Sequence, residues 1–238
     1  MNRLFGFVEQ EFRFLTELFY PRVCMACGKS LIKSEEILCT HCELKLPKTN
    51  YHLWHENPVK KVFDGRVNVF SASARYHFKK GGNVQNLLHN FKYRGNSSIG
   101  VKIGTDFGHE LMLSPDFKTV DYIIPVPLHY KKLKLRGFNQ SERFAFGLSQ
   151  SMTARLENNN LVRNVFTETQ TRKSRWDRYK NVSNIFEVKQ PDKLRGKHIL
   201  LVDDVITTGS TIEACLNALK DIEKIKLSVA AIASPVGT

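Results

Sequence analysis

Apolar positions change their spacing several times along this chain, and each change marks an element. Over residues 3–19 they fall at Leu4, Phe5, Val8, Phe12, Leu15, Leu18 and Phe19, one helical face that Pro21 ends. A cysteine-bearing module follows over residues 22–47, then a polar linker with Pro47 and Pro58. From Val67 the run VNVFSASARYHF is rich in β-branched and aromatic residues and predicts a strand, which Gly81-Gly82 breaks. Val84, Leu87, Leu88 and Phe91 predict a helix over 83–93, closed by Gly95, and a second helix covers about 98–113. A short buried strand lies within TVDYIIPVP, residues 119–127, and continues into the loop PLHYKKLKLRGFNQ. A helix over about 139–156, a strand over 161–166, a polar basic stretch to Asn184 and a short strand over 185–188 come next. A buried run at 199–202, a helix after it and a last strand over 227–233 complete the pattern. Strands alternating with helices predict an α/β fold, doubly wound around a mainly parallel sheet.

The run HILLVDDVITTGSTIE, residues 198–213, carries the most chemistry. Ile199 to Val202 read as a buried parallel strand that leads into two carboxylates, Asp203 and Asp204. A loop of small residues then opens a helix, and backbone N–H groups and hydroxyls at a helix N-terminus bind anions. Open α/β sheets bind ligands at the carboxyl ends of their strands, where this pair falls. No Gly-Lys-Ser/Thr is present, so this is not a nucleotide-triphosphatase loop. All 13 positions from Ile199 to Thr211 resemble the signature of type I phosphoribosyltransferases for 5-phosphoribosyl 1-pyrophosphate (PRPP). The resemblance implies that Asp203 and Asp204 hold the ribose hydroxyls. It also implies that Val205, Thr207, Thr208, Gly209, Ser210 and Thr211 form the 5-phosphate cradle, with PRPP arriving as its Mg2+ complex.

Four of the five cysteines form two Cys-x2-Cys knuckles, Cys24 with Cys27 and Cys39 with Cys42. Two such knuckles close a tetrahedral zinc site, with disulfides or an iron–sulfur centre as the alternatives. Four thiolates leave no open position for water, so the Zn2+ would be structural. His41 then reads as a surface residue and Cys215 as a core residue. The expected organisation is an amphipathic helix over 1–21, a zinc ribbon over 22–47 and a phosphoribosyltransferase-like domain over 60–238.

Charge adds a preference in partners. The 36 basic and 23 acidic side chains leave a formal net charge of +13, which attracts polyanions such as nucleic acid or PRPP. No run reaches the roughly 18 apolar residues of a membrane span. Glu9, Glu11 and Glu17 interrupt the N-terminus, which does not read as a secretory signal. The expectation is a cytoplasmic protein with reduced thiols. Two basic segments are candidates for pyrophosphate or nucleic-acid contact. One carries Lys131, Lys132, Lys134 and Arg136. The other, over 167–184, carries Arg172, Lys173 and Arg175 with Trp176 and Tyr179 among them. Aromatics among cations suit single-stranded nucleic acid. The plainer readings are a solvated basic surface for the first segment and an ordinary polar loop with Trp176 packed inward for the second.

The order of these features resembles the ComF family of competence proteins. Paired knuckles come first, then RGFNQ at 136–140, TQTRKSR at 169–175 and finally VDDVITTGST. The resemblance spans about residues 20–234. It implies a type I phosphoribosyltransferase fold with an N-terminal four-cysteine zinc ribbon. It also implies binding of PRPP or a nucleotide, and a role in natural transformation beside a helicase that handles single-stranded DNA. Three readings stay open: a ligand-binding competence protein, an active phosphoribosyltransferase of nucleotide metabolism with an unknown acceptor, and a non-catalytic module that binds single-stranded DNA or assembles with partners. Oligomeric state is open as well.

Overall fold

The computed structural model describes residues 21–164, 185–235 and 237. The helix expected over 3–19 lies outside these residues, as do Arg172, Lys173, Arg175, Trp176 and Tyr179. In chain order the elements are Thr40–Lys45 (α1), Pro58–Lys61 (α2), Ser71–His77 (β1), Asn83–Tyr93 (α3), Ser98–Leu111 (α4), Pro115–Lys118 (α5), Tyr122–Pro125 (β2), Tyr130–Arg136 (α6), Gln140–Ser151 (α7), Arg155–Leu156 (β3), Leu161–Arg163 (β4), Phe186–Val188 (β5), His198–Val205 (β6), Ser210–Leu219 (α8) and Lys226–Ser234 (β7).

Five strands form one sheet in the order β1-β7-β6-β2-β3, and every pairing in it is parallel. β6 lies at its centre, with Leu201 opposite Ile124 of β2 and Val229 of β7. A strand covered on both faces needs apolar residues at every position, which is why this one shows no alternation. Leu200 and Val202 pack under α3, α4 and α7, with Phe91, Ile103, Phe107, Phe144 and Leu148. Ile199 and Leu201 face the other layer, with Val59, Phe63, Ile212, Cys215 and Leu216. All four strand residues are fully buried, each contributing about 1.5–3 kcal/mol of transfer free energy. β4 and β5 form a separate antiparallel pair.

Helices α4 and α7 cross at glycines. A Cβ on Gly104 would lie 2.3 Å from the Phe144 carbonyl oxygen, and one on Gly147 would lie 2.3 Å from that of Val101. Backbones this close leave no room for side chains, so α7 is held firmly over the sheet with its N-terminus at the end of β6.

Three expectations are corrected. The helix expected to reach residue 156 ends at Ser151, where Met152 turns extended at φ −105° and ψ 155°. Arg155 and Leu156 then pair with Tyr122 and Ile123 as the edge strand β3. The stretch after β2 is not all loop: the His129 side chain accepts from the Lys131 N–H to start α6, and Gly137 at φ +79° ends it. The segment after Pro47 is not a loose linker. Asn57 is buried, its Oδ1 accepts from the Val59 and Lys60 N–H groups, and its Nδ2 donates to the Ala72 carbonyl at 2.8 Å. Scattered polar residues disguise this segment in the sequence because one of them, Asn57, stitches it to β1.

Candidate functional site

β6 runs three residues beyond its apolar stretch, through Asp203 and Asp204 to Val205. The loop of residues 206–209 follows, and α8 begins at Ser210. Gly209 makes the turn at φ +74°, and a Cβ there would meet Val62 Cγ1 at 2.7 Å and Phe63 Cε1 at 3.0 Å. Backbone angle and space thus both require glycine. The loop is fixed from several sides. The Ile206 N–H donates to the Ala233 carbonyl, Ser234 Oγ donates to the Ile206 carbonyl, and Arg66 Nη1 donates to the Thr208 carbonyl at 3.0 Å. Thr208 Oγ1 and Ser210 Oγ lie 2.9 Å apart. Thr207, Thr208, Ser210 and Thr211 are exposed at the loop surface, while Gly209 is buried. The N-terminus of α8, with its outward N–H groups, completes a cradle for a phosphate-sized anion.

A cleft of about 500 Å³ joins this cradle to the carboxylates. Asp203, Asp204, Val205, Thr207 and Thr211 line it, together with Lys132 and Arg136 of α6. Of the expected cations on α6, Lys131 and Lys134 are not brought there: both are exposed and outside the lining.

The sequence reading missed the groups that hold the two carboxylates. Ser141 Oγ donates to Asp203 Oδ1 at 2.8 Å, and so does the Asp204 N–H at 2.8 Å. Lys92 Nζ of α3 pairs with Asp204 Oδ2 at 2.8 Å. Burial, and next the charge of Asp204, push the Asp203 carboxyl up to about 7, against the pull of Ser141, the Asp204 N–H and Lys92. A carboxyl poised there gives up its proton to solvent readily when a cation or hydroxyl donors approach to stabilise the carboxylate. Cations Lys92, Lys132, Arg136 and Arg163 surround the pair, so the cleft offers positive walls and an acidic floor.

Of the motif RGFNQ only Arg136 had a role in the sequence reading, and the structure places Arg136 and Gln140 in the lining of the same cleft as α3. Gly137 ends α6, Phe138 packs beside Phe91 with ring centroids 5.7 Å apart, and Asn139 caps α7 by accepting from the Ser141 N–H at 3.1 Å. Arg136 Nη1 donates to Gln140 Oε1 at 2.9 Å. Gln140 Nε2 and Arg136 Nε are buried with no hydrogen-bond partner among the described residues, and both side chains line the cleft. Buried donors without partners are costly, and a ligand's oxygens would satisfy them.

The four cysteines come together as the spacing predicts. Their sulfurs all lie within 4.8 Å of one another, and Cys27 Sγ and Cys39 Sγ are 3.7 Å apart. Zinc–sulfur bonds of about 2.3 Å in a tetrahedron set sulfurs about 3.8 Å apart, so the cluster fits Zn2+. The Cys39 N–H donates to Cys24 Sγ at 3.3 Å, as befits a thiolate. For Cys24 the cost of burial is outweighed by backbone N–H groups of Cys27, Cys39 and Ala26, which lower it to about 7. Burial and the neighbouring thiols hold Cys39 and Cys42 up, an arrangement that a cation relieves. His41 is exposed and Cys215 is fully buried in the core. Among the described residues no helix is long and apolar enough to cross a membrane.

Known families, proteins and structures resemble this chain over different stretches. The family description "phosphoribosyl transferase domain" matches residues 142–235, the stretch that holds β6 and the phosphate cradle. DNA utilization protein YhgH of Escherichia coli O6:H1 is 28% identical over 193 residues, 80% of this chain and 80% of that protein. Competence protein F of Haemophilus influenzae is 35% identical over 106 residues, 44% of this chain and 46% of its own length. Among solved structures, an adenine phosphoribosyltransferase aligns with a TM-score of 0.36 and 15% identity, over 62% of this chain and 75% of that one. The allosteric regulatory enzyme of purine biosynthesis aligns with a TM-score of 0.41 and 18% identity, over 56% of this chain and 25% of that one.

Proposed function

Because the chain belongs to the ComF family of phosphoribosyltransferase-like proteins, we propose that its cleft binds PRPP or a related phosphorylated ribose and that the protein acts in DNA uptake and use. One observation carries the ligand class: the Asp203–Asp204 pair and the cradle residues Thr207 and Thr211 share one cleft with Lys92, Lys132 and Arg136. The 5-phosphate sits in the 207–211 cradle. The ribose hydroxyls donate to Asp203 and Asp204. The pyrophosphate faces the cations of α3 and α6, and the buried Arg136 Nε and Gln140 Nε2 supply donors to it. Two adjacent carboxylates also suit the Mg2+ that accompanies PRPP, which offsets pyrophosphate charge.

Before the ligand arrives, Lys92 neutralises Asp204, and burial keeps Asp203 partly protonated near neutral pH. The lysine and the proton are displaced on binding: Lys92 turns from the carboxylate to a phosphoryl oxygen, and Asp203 ionises. The same geometry serves ribosyl transfer, in which an acceptor nitrogen forms a bond to C1 as pyrophosphate leaves with the electrons of the C1–O bond.

The role in DNA handling comes from the relatives named for DNA utilization and competence. A local observation supports direct contact with single strands. α6 buries none of its residues, and Tyr130, Leu133 and Leu135 stand exposed beside Lys131, Lys132 and Lys134. Thermal unfolding with ribose 5-phosphate, and separately with PRPP and Mg2+, tests the ligand class. Both should raise the melting temperature by mass action. A protein indifferent to both would refute it.

A further inference from the structure

Helix α3 has three faces, each with its own neighbours. Val84, Leu87, Leu88 and Phe91 are buried in the core. Gln85, His89 and Lys92 line the cleft, and Lys92 holds Asp204. Asn86 and Asn90, one turn apart, make the third face. Asn86 Nδ2 donates to the Ala26 carbonyl at 3.2 Å, and Asn90 Nδ2 donates to the Met25 carbonyl at 2.7 Å. Met25 and Ala26 are the two residues between Cys24 and Cys27. The helix that lines the cleft therefore grips the backbone of the first cysteine knuckle.

That knuckle is itself a tight structure. The Gly28 N–H donates to the Cys24 carbonyl at 2.9 Å, the Cys24 N–H to the Lys29 carbonyl at 2.8 Å, and the Met25 N–H to the Ile37 carbonyl at 2.9 Å. Cys24, Ala26, Ile37 and Leu38 belong to the same core as Leu88 and Phe91. Asparagine is a poor residue for a helix interior. Two of them here are explained by the carbonyls they serve.

We propose that the four-cysteine site is a positioning device for the cleft. Metal in the knuckles fixes the Met25–Ala26 turn, the turn fixes α3 through Asn86 and Asn90, and α3 sets Lys92 and His89 against the bound anion. Asn86 and Asn90 are positioning residues, since neither lines the cleft. Coupling of this kind is reciprocal, so a ligand in the cleft must tighten the hold on the metal. The identity of that ligand rests on the PRPP reading; the link between knuckle and helix does not.

The test compares zinc-loaded wild type with Asn86→Ala/Asn90→Ala, checked for equal zinc content. Three readouts are taken: amide hydrogen exchange over residues 83–93, PRPP–Mg2+ affinity by calorimetry, and the rate of zinc loss to the chelator 4-(2-pyridylazo)resorcinol with and without PRPP. Asp203→Asn/Asp204→Asn serves as the control for zinc chelation by PRPP itself. Alanine raises helix propensity, so loss of the side chains alone would slow exchange in α3. Positioning predicts the opposite. Exchange in α3 should quicken at least about tenfold with β6 and β7 unchanged, and PRPP affinity should fall at least about fivefold. PRPP should slow zinc loss from wild type and not from the variant. Unchanged or slower exchange in α3 would overturn the proposal, and so would equal slowing of zinc loss by PRPP in both proteins. If wild type binds no PRPP, the ligand reading fails and the exchange readout alone decides the coupling.

Discussion

Replacing Asp203 with asparagine should make the protein more stable at neutral pH while weakening its ligand site. Asparagine keeps an Oδ1 to accept from Ser141 Oγ and the Asp204 N–H, both at 2.8 Å from the aspartate oxygen. What it removes is a charge that burial and the neighbouring Asp204 disfavour. The carboxyl stands at about 7 in the folded protein against 3.8 for the ordinary group. Between these values the folded state holds a proton that the unfolded chain has released, so this group's contribution favours folding less and less as pH rises, and the full cost is present above about 7. At about 1.36 kcal/mol per pH unit the upper limit is roughly 4 kcal/mol. The residue is only partly buried, so about 2 kcal/mol is the expected gain. Urea unfolding of the zinc-loaded proteins at several pH values is the assay. The stability difference between variant and wild type should grow from near zero at about pH 4 to a plateau above about pH 7. A variant less stable than wild type at neutral pH, or a difference that ignores pH, would refute the reasoning. A site that gains stability when its acid is removed is destabilised for the sake of binding.

Other outcomes follow from the same geometry. Gly209→Ala should cost about 1–3 kcal/mol, because it combines positive φ with a close approach to Val62, and should loosen the phosphate cradle; equal stability in urea would count against that account of the turn. Purified protein should carry one zinc per chain and lose it on Cys42→Ser with a drop in melting temperature; a metal assay that finds none in chelator-free preparations would refute the site. Burial, then the charge of Lys226, lowers His198 to about 4, so folding should weaken as pH falls from about 6.5, where the unfolded chain takes up a proton that the folded state excludes. His198→Gln should flatten that acid limb, and a persisting slope would assign it elsewhere.

The parts of the site that lie on one stretch of chain were legible in the sequence. Ile199 to Val202 are all apolar because β6 is covered on both faces, and the acids and small residues after them could serve no core. Helix α3 spans the expected 83–93 because Gly82 precedes it and Gly95 follows, and its apolar residues keep one face. The cysteine spacing predicted the cluster for the same local reason. Lys92 and Ser141 were not legible, because they meet the acids only after a parallel topology has brought distant segments together. Nothing in the sequence sets Asn57, Asn86 and Asn90 apart from solvated polar residues, and what distinguishes them is a backbone carbonyl elsewhere in the fold. The end of α7 was misplaced because Ala154, Arg155 and Leu156 suit a helix by propensity, and pairing with β2 prevailed.

The central claim is that the acidic pair and the cradle form a working PRPP site. Calorimetric titration of zinc-loaded protein with PRPP and Mg2+, beside Asp203→Asn/Asp204→Asn, tests it most directly. The account predicts saturable binding at one site per chain that the double variant loses, with single-stranded oligonucleotide binding nearly unchanged. Wild type that takes up no PRPP, or a double variant that binds it equally well, would contradict the account.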